Sequence, residues 1–213
     1  MARSSLVPFA LALALAGCDE DAVVSGAGSA GPVLAAAPQS PDAFGELPDF
    51  SLTAQDGRTI TRAELLGHPL VLGALFSTCN GPCPTIARAL ARLQEDLAGT
   101  DVRLVVVSVD PEADSPEVLA RYGERFGADP ERWLFLTGEL AEVTRLVRAG
   151  LLLPFEQLPE GEELDGDRIT HDTRLLAVDR LGQRRGWYQG LDAAELEKLR
   201  KRLLFLATEG AKR

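Results

Sequence analysis

The chain has 213 residues, 46% hydrophobic and 25% charged, which is enough apolar material for one folded domain with some chain to spare. Its 32 acids against 22 Lys and Arg give a formal net charge of -10, a poor match to a phosphate backbone, so nucleic acid drops off the list of partners. Three cysteines are too few for a disulfide-stapled scaffold, two histidines are too few for a His-rich metal store, and the single methionine is Met1.

The N-terminus carries targeting signals. Leu6 to Ala16 is an apolar run broken only by Pro8. As a helix it rises ~16 Å, short of the ~30 Å hydrocarbon core of a bilayer. That length fits the apolar segment of a signal peptide. Leu15-Ala16-Gly17-Cys18 looks like a bacterial lipobox, followed at once by Asp19-Glu20-Asp21. Residues 1–17 are therefore expected to be a lipoprotein signal peptide and Cys18 the lipidated N-terminus. A plain secretory signal is the alternative. The mature chain is expected in a bacterial cell envelope, anchored through lipid to the inner membrane, with its domain facing the periplasm or exterior. Residues 18–45 read as a flexible, disordered tether. Between Ala22 and Pro41, fifteen of twenty residues are Ala, Gly, Ser or Pro, a composition that buries too little to offset its ordering entropy.

The folded part, residues 46–213, alternates strand and helix signals. Phe50 to Ile60, with Asp56-Gly57 at its turn, reads as a hairpin, and Thr61-Arg62-Ala63-Glu64 caps a short helix. Pro69 to Phe76 is a nearly continuous apolar run, as in a strand covered on both faces. Pro84 then opens a helix with the stripe Ile86, Leu90, Leu93 and Leu97. Val102 to Val109 is a second buried strand. Ser115-Pro116-Glu117 starts a helix bearing Leu119, Tyr122 and Phe126. Trp133 to Leu136 is a short strand, followed by a helix with Leu140, Val143 and Val147. Pro154 to Thr170 reads as a loop holding six acids, Glu156, Glu160, Glu162, Glu163, Asp165 and Asp167. Thr173 to Val178 and Gly186 to Gln189 are strands flanking a turn near Gly182. Asp192 and Glu195 form a capping box for a last helix with Leu196, Leu199, Leu203 and Leu206. This order predicts an α/β, thioredoxin-like fold with an added N-terminal β-hairpin.

Chemistry concentrates in Ser77-Thr78-Cys79-Asn80-Gly81-Pro82-Cys83-Pro84. With Cys18 taken by lipid, Cys79 and Cys83 are the remaining thiols, at the exit of a buried strand. Cys83 stands at a helix N-terminus, where the positive dipole end favours a thiolate. Thiolates exchange disulfides and are soft ligands for Cu(I). Three intervening residues make a wider bite than the two of thioredoxin-type reductants, a spacing suited to gripping one metal ion. A structural disulfide or two packed thiols remain open on the residues alone.

The sequence resembles the Sco/SenC copper chaperones of cytochrome c oxidase assembly from about Phe50 to Leu206. The resemblance is carried by Cys79-x-x-x-Cys83-Pro84, by Val107-Ser108-Val109-Asp110-Pro111-Glu112 and by the Ser115-Pro116 helix start. Thr170-His171-Asp172-Thr173, Val178-Asp179 and Gly190-Leu191-Asp192 complete it. It implies copper, as Cu(I) or Cu(II), held by Cys79, Cys83 and His171. It also implies a recipient, the copper-accepting subunit of a heme-copper oxidase. The chain departs from the family pattern with Asn80-Gly81-Pro82 between the cysteines, and with Thr170 before the histidine and Asp172 after it; neither change removes a ligand. His171 falls where thioredoxin relatives place a cis-proline, at a strand entrance facing the cysteine loop. His68, in Gly67-His68-Pro69, reads as a solvated loop residue.

The expected function is a membrane-anchored metallochaperone that passes on copper without turning over a substrate, rather than an enzyme. The alternatives are a thiol-disulfide oxidoreductase using Cys79 and Cys83 as its redox pair, and a redox or copper sensor. An intramolecular Cys79–Cys83 disulfide is expected on oxidation, and it would block metal binding.

Overall fold

The computed structural model describes residues 43–159, 161–162 and 167–209. The expected signal peptide, Cys18 and nearly all of the tether lie outside the described residues, as do Glu160, Glu163 and Asp165 of the acidic segment. No helix among the described residues is long and apolar enough to cross a membrane.

The amphipathic hairpin forms first in the chain as β1 (Ser51–Ala54) and β2 (Thr59–Thr61), turning at Gly57 with φ +82°. At φ > 0 a side chain is strained, so the glycine is needed there. The short helix α1 (Arg62–Leu65) follows, and the Glu64 carboxylate accepts from the Thr61 N–H at 2.7 Å. The apolar run becomes β3 (Leu70–Leu75), buried at every position. The proline-started stripe becomes α2 (Cys83–Asp96), with Ile86, Leu90 and Leu93 buried. Then come β4 (Arg103–Ser108), α3 (Pro116–Arg125) and β5 (Trp133–Thr137). Ser115 caps α3 by accepting from the Val118 N–H. The helix α4 (Leu140–Arg145) runs into a π-helical turn at Leu146–Gly150.

Here structure and sequence reading part. The segment expected as a loop is in part a hairpin, β6 (Phe155–Gln157) against β7 (Ile169–His171), in a separate two-stranded sheet. Three residues per strand, dominated by the charges between them, leave too short an alternation to read. Two strands follow, β8 (Arg174–Val178) and β9 (Arg184–Gln189), the latter starting two residues earlier than expected, and then α5 (Ala193–Glu209). Asp192 caps α5 through the N–H groups of Ala194 and Glu195. The reciprocal half of the expected box is replaced: the Asp192 N–H goes to the Gln189 carbonyl, and Glu195 pairs with Lys198. His68 lies in the expected loop, partly exposed, with its Nδ1 3.1 Å from the Asp101 carbonyl.

The main sheet has seven strands in the order β2-β1-β5-β4-β3-β8-β9. Strands β3, β4 and β5 run parallel, joined by crossovers through α2 and α3, while β8 and β9 return antiparallel on the other side of β3. This is the expected thioredoxin-like arrangement with the hairpin added at one edge. The core follows from it: Leu72, Leu104, Val107, Phe135 and Leu176 have no exposed surface. Burying each such side chain contributes about 1.5–3 kcal/mol. Because β3 is an interior strand flanked by β4 and β8, the loop leaving its C-terminal end at Leu75 is held from beneath. That loop carries the two cysteines.

Candidate metal centre

Residues 76–82 carry the chain from the end of β3 into α2, whose first residue is Cys83. The start of this loop is tied down by Asp114, which is fully buried. Its carboxylate accepts from the Ser77 N–H at 3.1 and 3.3 Å and from the Ser108 hydroxyl. Asp114 in turn is held by its own N–H to the Asp110 carbonyl at 2.9 Å. The Val107 to Glu112 motif therefore braces the cysteine loop from the neighbouring strand. Asp114 lies between the two motifs that end at Glu112 and begin at Ser115, and one more acid in that stretch carries no separate sequence signal.

Cys83 has no exposed surface and Cys79 is 7% exposed; both are free thiols. His171 ends β7, and its Nε2 lies 3.0 Å from the Cys83 Sγ. Its Nδ1 faces the Asp172 carbonyl at 3.0 Å. A carbonyl oxygen can only accept, so Nδ1 carries a proton, and Nε2 is the ring atom that faces the sulfurs. The ring stands edge-on to Phe76 with centroids 5.8 Å apart. Asp172 grips Arg174 at 2.6 Å and the Arg174 N–H at 2.8 Å, fixing the turn from β7 into β8.

Cys79, Cys83 and His171 thus present three donor atoms, all within 4.8 Å of one another, a group that could hold a metal ion. The expected thiolate is reversed. Donation from the Cys83 S–H, aided by His171 and by the backbone N–H groups of Cys83 and Gly81, pulls the Cys79 thiol down to about 5. Sharing its proton with Cys79, together with burial, pushes the Cys83 thiol up. The helix dipole favours charge at Cys83, but complete burial there costs more than the dipole returns. Cys79, slightly exposed and ringed by donors, is the anionic partner.

Two further residues close the site. Asp167, on the segment entering β7, accepts from the Asn80 N–H at 3.0 and 3.2 Å and from its Nδ2 at 3.2 Å. This contact spans 87 positions in the chain, and nothing in a run of six acids singles out one of them. A groove of about 580 Å³ beside the loop is lined by Thr78, Asn80, Asp110, Glu112, Asp167 and Arg168, among others. On the other flank a cavity of about 760 Å³ reaches His171 past Leu152, Pro154 and Phe155. The imidazole is therefore reachable from outside, while Cys83 is sealed.

Fold and site together define a thioredoxin-like protein carrying a centre of two thiols and one imidazole. Residues 38–203 match the family described as SCO1/SenC, and the chain belongs to that family. The SCO1 protein homolog of Bacillus subtilis (strain 168) is 27% identical over 149 residues, 69% of this chain and 75% of that protein. A SCO1/SenC family lipoprotein from Bacillus anthracis str. Ames has a similar structure, with a TM-score of 0.70 and 26% identity over 78% of this chain and 96% of that one. ScoI of Bradyrhizobium japonicum, solved with copper bound, shares the fold at a TM-score of 0.63 and 23% identity, covering 75% and 99% of the two chains.

Proposed function

We propose that Cys79, Cys83 and His171 bind copper as cargo for delivery to another protein. The convergence of the three donor atoms within 4.8 Å carries this reading. Its chemistry fits: two thiolates suit Cu(I), and an imidazole widens the range to Cu(II). The copper-bound ScoI and membership of the SCO1/SenC family support the choice of metal. The geometry also supports an order of transfer. His171 borders the open cavity and Cys83 is sealed, so an incoming ligand displaces the imidazole first and Cys83 last. The recipient is the binuclear copper site on the copper-accepting subunit of a heme-copper oxidase, in keeping with the family resemblance. Anchoring runs through a lipid on Cys18, with residues 1–17 removed, residues 18–45 as tether and residues 46–213 as the copper-binding domain. The Bacillus anthracis lipoprotein supports this placement in a bacterial envelope.

One observation favours a second reading. A thiolate at Cys79 near neutral pH suits disulfide exchange, so a thiol-disulfide oxidoreductase acting on the recipient's cysteines uses the same pair. His171→Ala separates the two. A carrier variant retains Cu(I) on two sulfurs but loses Cu(II) and its thiolate-to-copper absorption, whereas exchange activity survives. Titration of wild type and His171→Ala with each copper oxidation state, beside a disulfide-reduction assay, reads this directly. Wild-type Cu(II) binding by the variant would remove His171 from the ligand set and favour the oxidoreductase.

A further inference from the structure

We infer that Asp167 is a positioning residue for the two thiols, holding the loop between them so that Cys79 faces Cys83 and His171. This rests on the reading of those three residues as one centre. Asp167 and His171 sit four positions apart at the two ends of one short segment, and each reaches a different part of the cysteine loop. His171 meets Cys83 at 3.0 Å, while Asp167 takes both the backbone and side-chain N–H groups of Asn80, the residue after Cys79. The backbone of Asp167 is itself placed by the rung beside it, in which the Leu158 N–H donates to the Arg168 carbonyl at 2.6 Å. The carboxylate lies close over the loop: a Cβ built on Gly81 would touch Asp167 Oδ2 at 3.8 Å on one side and Cys79 Sγ at 3.9 Å on the other.

The loop gains little from packing at this point, because Thr78 and Asn80 are exposed and Gly81 and Pro82 carry few contact groups. Without Asp167 the loop samples orientations in which Cys79 turns away. Both metal binding and disulfide formation need the two sulfurs facing each other, so restricting the loop beforehand raises their effective concentration for either outcome. One carboxylate thereby sets the affinity for metal and the redox equilibrium in the same direction.

The test needs no copper. The full-length protein in detergent is equilibrated with reduced and oxidised glutathione, and the thiols are trapped and counted. In the exchange, a Cys79–Cys83 bond forms and the glutathione disulfide breaks, with two electrons and two protons passing to glutathione. Asp167→Ala shifts this equilibrium about tenfold towards the dithiol, about 30 mV for a two-electron couple. Asp167→Asn keeps an oxygen where Asn80 donates and restores most of the wild-type value. Asp167→Glu keeps the charge but displaces the carboxylate, and behaves like Asp167→Ala. Cu(I) affinity, measured by competition with a chelator, falls in the Ala and Glu variants by a similar factor. A purely structural role would lower the melting temperature and leave the exchange equilibrium alone. A wild-type equilibrium in Asp167→Ala overturns the inference, as does a wild-type value in Asp167→Glu with an Ala-like value in Asp167→Asn. Failure of copper binding with the glutathione shift intact would count against the copper reading and leave this one standing.

Discussion

Cys83 begins a 14-residue helix at the end of a seven-stranded sheet, and everything beneath it is closed apolar packing. His171 ends a three-residue strand in a separate two-stranded sheet, which joins the core through Phe155 and Ile169 and is otherwise held by a single hairpin arm and a few polar contacts. The centre thus has one wall built on the long helix and wide sheet, and one built on a short hairpin with little burial of its own. Cys83 is held chiefly by burial, whereas the position of His171 depends on each contact that holds its short strand. A carrier needs both: sulfurs kept in place, and a third ligand able to leave.

The contrast can be broken in several ways. The largest effect belongs to the fixed wall. Cys79→Ser or Cys83→Ser removes a soft donor that nothing nearby replaces, and both copper oxidation states should fail to bind in a spectroscopic titration. Amide hydrogen exchange compares the walls directly. Residues 155–157 and 169–171 should exchange orders of magnitude faster than the amides of β3 and β4, since local opening ranges from near zero to the global stability. Equal protection would erase the distinction. Next comes Asp114→Ala, which takes the acceptor from the part-buried Ser77 N–H and the buried Ser108 hydroxyl. It should cost about 2 kcal/mol in denaturant unfolding, from one buried and one part-buried polar group losing their partner.

The titration of the thiols probes the cysteine pair itself. The folded value of Cys79 is about 5, below the ordinary 9.0 of the unfolded chain. Its contribution to stability is fully present above about 9 and is lost as pH falls through about 5. Cys83 is shifted upwards, so its contribution is present below about 9 and is lost as pH rises beyond its folded value. The stability of the reduced protein should therefore climb from pH 5 to 9 and then decline. A Cys79→Ala variant should lose that climb. A flat profile in the parent would show that Cys79 holds an ordinary thiol.

The legible parts of the sequence match the burial-built wall. Continuous apolar runs at β3 and β4, the proline at the head of α2 and the Ser115-Pro116 start of α3 state their structure locally, because each depends on periodicity or a cap. The cysteine pair was legible for the same reason, standing between a strand and a helix that both announce themselves. On the other wall, His171 and its place at a strand entrance facing the cysteines were legible, but the hairpin that carries it was not. The hairpin β6–β7 is three residues per arm, and its pairing of Phe155 with His171 is a register no local pattern encodes. Asp167 and Asp114 act across the fold on Asn80 and Ser77, and their roles exist only once the chain has closed. The assignment of the thiolate to Cys83 failed because the dipole argument is local, while burial and donation to Cys79 belong to the assembled site. Gly190 shows the middle case: its place in a motif was visible, but its cause, a Cβ that would lie 2.5 Å from the Thr173 carbonyl, needed the structure.

The central claim is that one copper ion is held jointly by Cys79, Cys83 and His171. X-ray absorption at the copper edge of the loaded, full-length protein tests it most directly, because it counts sulfur and nitrogen neighbours of the metal. The account predicts two sulfurs and one imidazole nitrogen around the ion, with the nitrogen signal gone in His171→Ala and the sulfurs retained. A copper shell with the same nitrogen signal in wild type and His171→Ala, or with fewer than two sulfurs, would contradict it.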